Sequence, residues 1–221
     1  MSVRIAPSIL SADFARLADE IAGIEEGGAD WVHIDVMDGR FVPNLTFGAK
    51  VIETLRRTTK LPLDCHLMVV EPERYFEVFA EAGASVITIH AEVSPHLARQ
   101  IARIQELGCL AGVALNPSTS LEHAREVAPD LDLLLIMSVN PGYGGQAFIP
   151  SSVGKVRRAR ALLTEAGSRA MLEVDGGISG ATIGGMWRAG ADTFVAGNAV
   201  FGAADPASEI QALRAACMET A

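Results

Sequence analysis

Short apolar runs rich in valine and isoleucine alternate with amphipathic stretches along the whole chain. The runs predict strands over Val3–Ile9, Trp31–Val36, Leu63–Leu67, Val86–His90, Leu110–Leu115, Leu133–Met137, Ala170–Val174 and Thr193–Ala196. The amphipathic stretches predict helices such as Phe14–Glu26, Pro72–Glu81, Pro95–Leu107, Ser152–Ala166 and Pro206–Met218. Asp13 is a cap for the first helix, and Pro72, Pro95 and Pro206 sit at first-turn positions. Gly27, Gly83, Gly108, Gly167 and Gly190 follow helical runs, where a helix must stop. A weak repeat runs beneath this alternation. Gly28-Ala-Asp, Gly83-Ala-Ser and Gly190-Ala-Asp each lead into a strand, spaced by multiples of about 27 residues.

Strict alternation gives parallel strands with right-handed crossovers. Eight units predict a single (β/α)8 TIM barrel, α/β in class, over residues 1–221; an open doubly wound sheet is the alternative. No linker or low-complexity segment divides the chain.

Composition narrows the function. A hydrophobic fraction of 49% suits a sizeable core, and a net charge of −9 disfavours nucleic-acid and anionic-membrane surfaces. No signal-peptide pattern or membrane-length apolar run is present in the sequence, which predicts a cytoplasmic enzyme. Cys65, Cys109 and Cys217 have no metal-motif or redox-motif spacing and read as structural thiols.

Four polar residues break the apolar strands: His33, Asp35, His66 and Asp175. Burying an unpaired carboxylate is very costly, so these groups need a common partner. Residues two apart on a strand share a face, so His33 and Asp35 point the same way. If that way is inward, all four converge on the carboxyl-end mouth of a barrel, where such folds place their chemistry. Two imidazoles and two carboxylates suit one divalent metal ion: Zn, Fe(II), Mn or Co. Asp64 and Glu173 share the inward parity and read more readily as ordinary ion pairs lower in the barrel. His90 ends a strand, but nothing else marks it. Met37, Met68 and Met137 lie just after strand ends, as a dry rim for the pocket or as core filling.

Glycine-rich turns follow three consecutive strands: Asn140-Pro-Gly-Tyr-Gly-Gly-Gln146, Asp175-Gly-Gly-Ile178 and Ala196-Gly-Asn-Ala199. Such turns offer backbone N–H groups to an anion, here a phosphate, and the Gly142–Gly145 segment is long enough to be a lid. A metal beside a phosphate grip implies a phosphorylated small molecule with a polarised oxygen. Carboxylates from two strands could then flank a planar enediolate and invert one carbon.

These motifs, together with Ala6-Pro-Ser-Ile-Leu-Ser-Ala-Asp13, His33-Ile-Asp-Val-Met-Asp-Gly39, Phe41-Val-Pro-Asn44 and His66-Leu-Met68, resemble the ribulose-phosphate 3-epimerase family over nearly the whole chain. The resemblance implies a (β/α)8 barrel that interconverts D-ribulose 5-phosphate and D-xylulose 5-phosphate. It implies metal ligands His33, Asp35, His66 and Asp175, with Asp35 and Asp175 as the acid/base pair. It also implies substrate contacts at Ser8, His66, Gly142, Tyr143, Gly144, Gly145, Gly176, Gly177, Gly197 and Asn198, and a homo-oligomer. Tyr143 stands where the family often has Phe, and Asn198 where Ser is usual, which removes a hydroxyl contact. The rival readings are a hexulose-6-phosphate 3-epimerase, such as one acting on allulose 6-phosphate, and a non-catalytic sugar-phosphate-binding barrel. A Schiff-base aldolase is disfavoured, because Lys50, Lys60 and Lys155 all fall outside the strand ends.

Overall fold

The computed structural model describes residues 2–219. The ends of the expected 1–221 domain therefore lie outside the described residues. Among them, eight strands run in parallel: β1 (Arg4–Pro7), β2 (Val32–Met37), β3 (Leu63–Met68), β4 (Val86–His90), β5 (Leu110–Leu115), β6 (Leu133–Met137), β7 (Met171–Asp175) and β8 (Thr193–Ala196). Their order is β1-β8-β7-β6-β5-β4-β3-β2, and a parallel bridge between Ser8 and His33 brings the two ends together. The fold is a (β/α)8 barrel.

The helices are α1 (Leu17–Glu26), α2 (Ala49–Thr58), α3 (Phe76–Ala82), α4 (Leu97–Glu106), α5 (Glu122–Arg125), α6 (Ser152–Glu165), α7 (Ile183–Ala189), α8 (Asn198–Phe201) and α9 (Pro206–Met218). Capping fixes several starts. Asp205 accepts from the N–H groups of Ala207 and Ser208 with Pro206 in the first turn of α9. Asp13 caps a short 3-10 turn, Phe14–Arg16, that precedes α1, so the predicted helix begins as two elements. Pro72–Arg74 forms a similar turn before α3. No helix among the described residues is long and apolar enough to cross a membrane.

Strand residues alternate between two cores. Outward side chains such as Ile34, Cys65, Ile87, Val113, Leu134, Val174 and Phe194 pack in the large buried layer beneath the helices. Inward side chains Ala6, Val86, Ala114, Leu133, Leu135 and Val195 form a smaller apolar cluster with Trp31 inside the barrel. The interior is thus mostly apolar along β1, β5, β6 and β8, with Thr193 of β8 a buried polar exception. Along β2, β3, β4 and β7 it holds buried His33, Asp35, Asp64, His66, Thr88, His90 and Glu173.

Register sets where these groups meet. Asp35 stands opposite His66, which stands opposite Thr88, which stands opposite Gly112. His33 stands opposite Asp64, and Asp175 stands opposite Met137. A Cβ on Gly112 would lie 2.2 Å from Thr88 Oγ1 and 3.1 Å from Leu133 Cδ2. Gly112 is therefore the space Thr88 fills, one strand away from His66. Gly112→Ala should destabilise the fold by about 1–3 kcal/mol, the usual cost of overpacking. Thr88→Ala in the same chain should recover part of that loss; additive effects in a thermal unfolding cycle would refute this contact.

Candidate metal centre and phosphate pocket

Two imidazoles and two carboxylates meet at the carboxyl end of the barrel. Each of His33, Asp35, His66 and Asp175 offers one ligand-type atom, and these atoms lie within 4.8 Å of one another. His33 and His66 are fully buried, while the Asp175 side chain is 17% exposed. The strands bring them together because β2 presents two inward residues and β3 and β7 present their last inward polar positions.

Hydrogen bonds orient His33, Asp35 and His66, while Asp175 Oδ2 lies 4.0 Å from His66 Nδ1. Asp35 Oδ2 accepts from the Ser8 hydroxyl at 2.6 Å, and Asp35 Oδ1 lies 3.1 Å from His66 Nδ1. His33 Nε2 is 3.3 Å from Asp35 Oδ1, and its other nitrogen, Nδ1, is 2.6 Å from Asp64 Oδ2. Asp64 therefore holds the His33 ring rather than forming a remote ion pair, contrary to the preferred sequence reading. Glu173 lies lower, 4.0 Å from His33 Nδ1. Neither nitrogen of His66 is idle either: Nε2 is 2.8 Å from His90 Nε2. Parity alone marked His90 in the sequence, and its neighbours in space were not visible there.

The electrostatics follow from burial against proximity. Burial opposes charge on His33, but Asp64 and Asp35 outweigh it and hold its pKa well above the ordinary value. Burial also opposes ionisation of Asp35, yet His33 and His66 hold its carboxyl far below the usual range. Asp175 goes the other way. Burial, then the negative charge of Asp35, pushes its carboxyl up to about 6. Burial, then Asp64, pushes Glu173 upward, toward its neutral form.

The donor set fits a divalent cation. His33 Nε2 is buried without a hydrogen-bond partner among the described residues and faces Asp35. The carboxylates draw a proton to His33, as they would draw any positive charge. Asp64 behind His33 matches the carboxylate that habitually supports a ligating imidazole.

Above this floor lies a cavity of about 350 Å3. Asp35 and Asp175 line its base, beside Met37, Met68 and Met137. Met37, Met68 and Met137 are the last residues of β2, β3 and β6, one position earlier than a rim beyond the strands. Met37 and Met68 pack with Val42 in a separate buried cluster. The walls are the glycine turns: Gly142, Tyr143, Gly144 and Gly145 after β6, Gly176 and Gly177 after β7, and Gly197 and Asn198 after β8, with Ser8 opposite. Gly176 has φ +114°, and a Cβ there would lie 2.5 Å from Val139 Cγ2. Only glycine fits that turn.

Three polar residues outside the predicted set hold these walls. The Ser138 hydroxyl donates to the carbonyl oxygens of Asp175 and Gly176 at 2.9 and 2.6 Å. Gln146 Nε2 donates to the carbonyls of Asn140 and Tyr143 at 2.6 and 2.8 Å, cinching the candidate lid. The Ser11 hydroxyl donates to Asn198 Oδ1 at 2.6 Å, so the amide replaces a lost hydroxyl with a tie to the β1 loop. Gln146 and Ser11 sit inside motifs that carry the resemblance, Asn140–Gln146 and Ala6–Asp13; Ser138 carries no signal beyond polarity.

A (β/α)8 barrel whose mouth joins a cation-ready His/Asp cluster to glycine turns belongs to the class of sugar-phosphate barrel enzymes. The profile described as the ribulose-phosphate 3 epimerase family matches residues 4–201. The chain is 52% identical over 215 residues to a ribulose-phosphate 3-epimerase of Synechocystis sp., covering 96% of this chain and 94% of that one. It is 50% identical over 213 residues to a ribulose-phosphate 3-epimerase of Bacillus subtilis, covering 96% and 98%. Among solved structures, 3-keto-L-gulonate-6-phosphate decarboxylase from Vibrio cholerae superposes with a TM-score of 0.72 at 20% identity, covering 100% of both chains. The 3-hexulose-6-phosphate synthase from Salmonella typhimurium gives 0.71 at 18%, covering 99% and 100%. These two likenesses concern the fold alone. The chain belongs to the ribulose-phosphate 3-epimerase family.

The raised Asp175 pKa has a consequence for the metal-free protein. Its folded value, about 6, exceeds the ordinary 3.8, so the folded state favours the neutral acid. Stability is then lost as pH rises from the ordinary value through the folded one. Asp175→Asn removes that loss. In chelator-treated protein it should raise Tm above pH 6 by about 2–4 °C, the shift that about 1 kcal/mol makes in a chain of this size. The gain should vanish below pH 4; a pH-independent difference would refute the like-charge account.

Proposed function

We propose that this chain is a metal-dependent 3-epimerase interconverting D-ribulose 5-phosphate and D-xylulose 5-phosphate. The observation that carries the mechanism is the convergence of Asp35 and Asp175, from β2 and β7, on one cavity floor beneath three glycine turns. Family membership supplies the reaction class: the chain is an epimerase, within the isomerases.

The glycine turns after β6, β7 and β8 bind the phosphate through backbone N–H groups, which suits a chain with a net charge of −9 and no basic patch at the mouth. The sugar then extends across the cavity with C3 above the carboxylates. Asp35 and Asp175 sit in unlike surroundings, one held ionised by two histidines and one held toward its neutral form. Paired carboxyls with divided pKa values suit acid and base roles. One carboxylate takes the C3 proton from its face of the sugar. The other carboxylic acid returns a proton to the opposite face of the planar enediolate, which inverts C3. His33, Asp35, His66 and Asp175 would hold the divalent ion, which supplies Lewis-acid stabilisation of developing negative charge. Met37, Met68 and Met137 keep water from that face and strengthen every charge interaction there.

Asp175→Asn should lower kcat on ribulose 5-phosphate by about 10²–10⁴-fold, the range general acid–base groups supply, while the fold persists. Wild-type turnover in 2H2O should place deuterium at C3 of the product. Near-normal turnover in the variant would exclude Asp175 as a proton carrier. Chelation should abolish activity, and adding back Zn, Fe(II), Mn or Co one at a time should identify the working ion; full activity in verified metal-free protein would exclude the metal. A higher kcat/KM on allulose 6-phosphate than on ribulose 5-phosphate would favour the hexulose reading. Self-association of identical chains belongs to the same proposal and is read by sedimentation velocity.

A further inference from the structure

A line of hydrogen-bonding groups leads from the cluster to the barrel's edge. His66 Nδ1 faces the cluster, 3.1 Å from Asp35 Oδ1 and 4.0 Å from Asp175 Oδ2. His66 Nε2 lies 2.8 Å from His90 Nε2, and the two rings are stacked with centroids 5.0 Å apart. His90 Nδ1 lies 3.1 Å from Glu92 Oε2. The other carboxylate oxygen of Glu92 accepts from the Asn116 N–H at 2.8 Å and the Thr119 hydroxyl at 2.5 Å. Glu92 sits in a 3-10 turn just after β4, and Asn116 and Thr119 belong to the loop after β5. Phe41, from the loop after β2, covers His90 at a centroid distance of 4.6 Å. His90 is fully buried, so water does not interrupt the line.

The direction of these bonds is fixed at the outer end. A carboxylate only accepts, so His90 must carry its proton on Nδ1 and donate it to Glu92. Neutral His90 then has a lone pair on Nε2. His66 must place its proton on its own Nε2 to donate to that lone pair. With a cation in the cluster, His66 Nδ1 turns its lone pair to it and the proton stays on Nε2; with none there, Asp35 Oδ1, 3.1 Å away, competes for a proton on Nδ1. A ligating imidazole needs the first arrangement, because a ring nitrogen that carries a proton cannot bind a cation.

We propose that Glu92, acting through His90, is a positioning residue that sets the tautomer of His66 and thereby readies Nδ1 as a metal ligand. This rests on the metal-centre reading above and extends it outward by two residues, neither of which touches the substrate cavity. The design is an outer acceptor that determines which nitrogen of an inner ring stays open.

Glu92→Gln tests the idea because it keeps the shape and removes one acceptor. The Asn116 N–H and the Thr119 hydroxyl claim the single remaining oxygen. The amide N–H group then faces His90 Nδ1 and donates to it. His90 must protonate Nε2 instead, and His66 must move its proton to Nδ1, into the cluster. The reverse amide orientation sets its N–H group against the Asn116 N–H. His90→Phe is the second variant: it preserves packing against Phe41 and leaves His66 Nε2 with no acceptor.

Nitrogen-15 NMR of imidazole-labelled, Zn(II)-loaded protein reads the tautomer directly. His66 should carry its proton on Nε2 in the wild type and on Nδ1 in Glu92→Gln. The dissociation constant for Co(II), measured by competition with a chelator, should rise about 10- to 100-fold in both variants, the usual effect of losing a partner behind a metal ligand. Circular dichroism confirms that each variant folds. A wild-type His66 protonated on Nδ1 overturns the inference, as does an unchanged tautomer or unchanged Co(II) affinity in folded Glu92→Gln. A wild-type protein that binds neither Zn(II) nor Co(II) overturns the metal-centre reading instead.

Discussion

The rest of the structure is arranged around buried charge of one sign. Four carboxyl groups, Asp35, Asp64, Glu173 and Asp175, share the interior of one barrel with His33 and His66. A low-dielectric interior tolerates such groups only when they are paired, protonated or set around a cation. Pairing and a push toward protonation are both visible here. Asp35 and Asp64 press on His33, and burial pushes Glu173 and Asp175 toward their neutral forms. The remaining strands compensate by being mostly apolar: β1, β5, β6 and β8 fill their half of the interior with aliphatic side chains and methionine, Thr193 apart.

That division makes register unusually consequential. A slip of one residue in β2 would send His33 and Asp35 into the layer beneath the helices and bring Ile34 and Val36 inward. The ladder from β2 to β5 and the Gly112–Thr88 fit prevent this. The loops depend on the same frame. Asp38, just past β2, accepts from the N–H groups of Arg40, Phe41 and Val70, so one carboxylate binds the β2 loop to the end of β3. The loop so fixed places Phe41 over His90 and Val42 against the methionine floor. Chemistry, lid and outer hydrogen-bond line all hang from strand ends whose positions the barrel fixes.

Much of this was legible along the chain. Short apolar runs located all eight strands, four of them to the residue: Val86–His90, Leu110–Leu115, Leu133–Met137 and Thr193–Ala196. The errors fell at strand ends on both sides of the barrel: Val3, Trp31 and Ala170 precede their strands, and Ser8 and Ile9 follow β1. Met37, Met68 and Asp175 are inside strands where the apolar pattern had already stopped, because the backbone ladder continues past the last hydrophobic residue. The four cluster residues were visible for the opposite reason: polar groups stand out in an apolar run.

The sequence by itself determined the alternation of elements, the inward parity of His33, Asp35, His66 and Asp175, and the glycine turns that close approach requires. Those are local properties, set by side-chain period and backbone freedom. Tertiary structure alone decided which groups touch. Asp64 holds His33 across one ladder, His90 meets His66 across another, and Ser11 reaches Asn198 from the far end of the chain. Parity states which way a side chain points, but only closure of the barrel and the register of its strands determine what lies within hydrogen-bond distance.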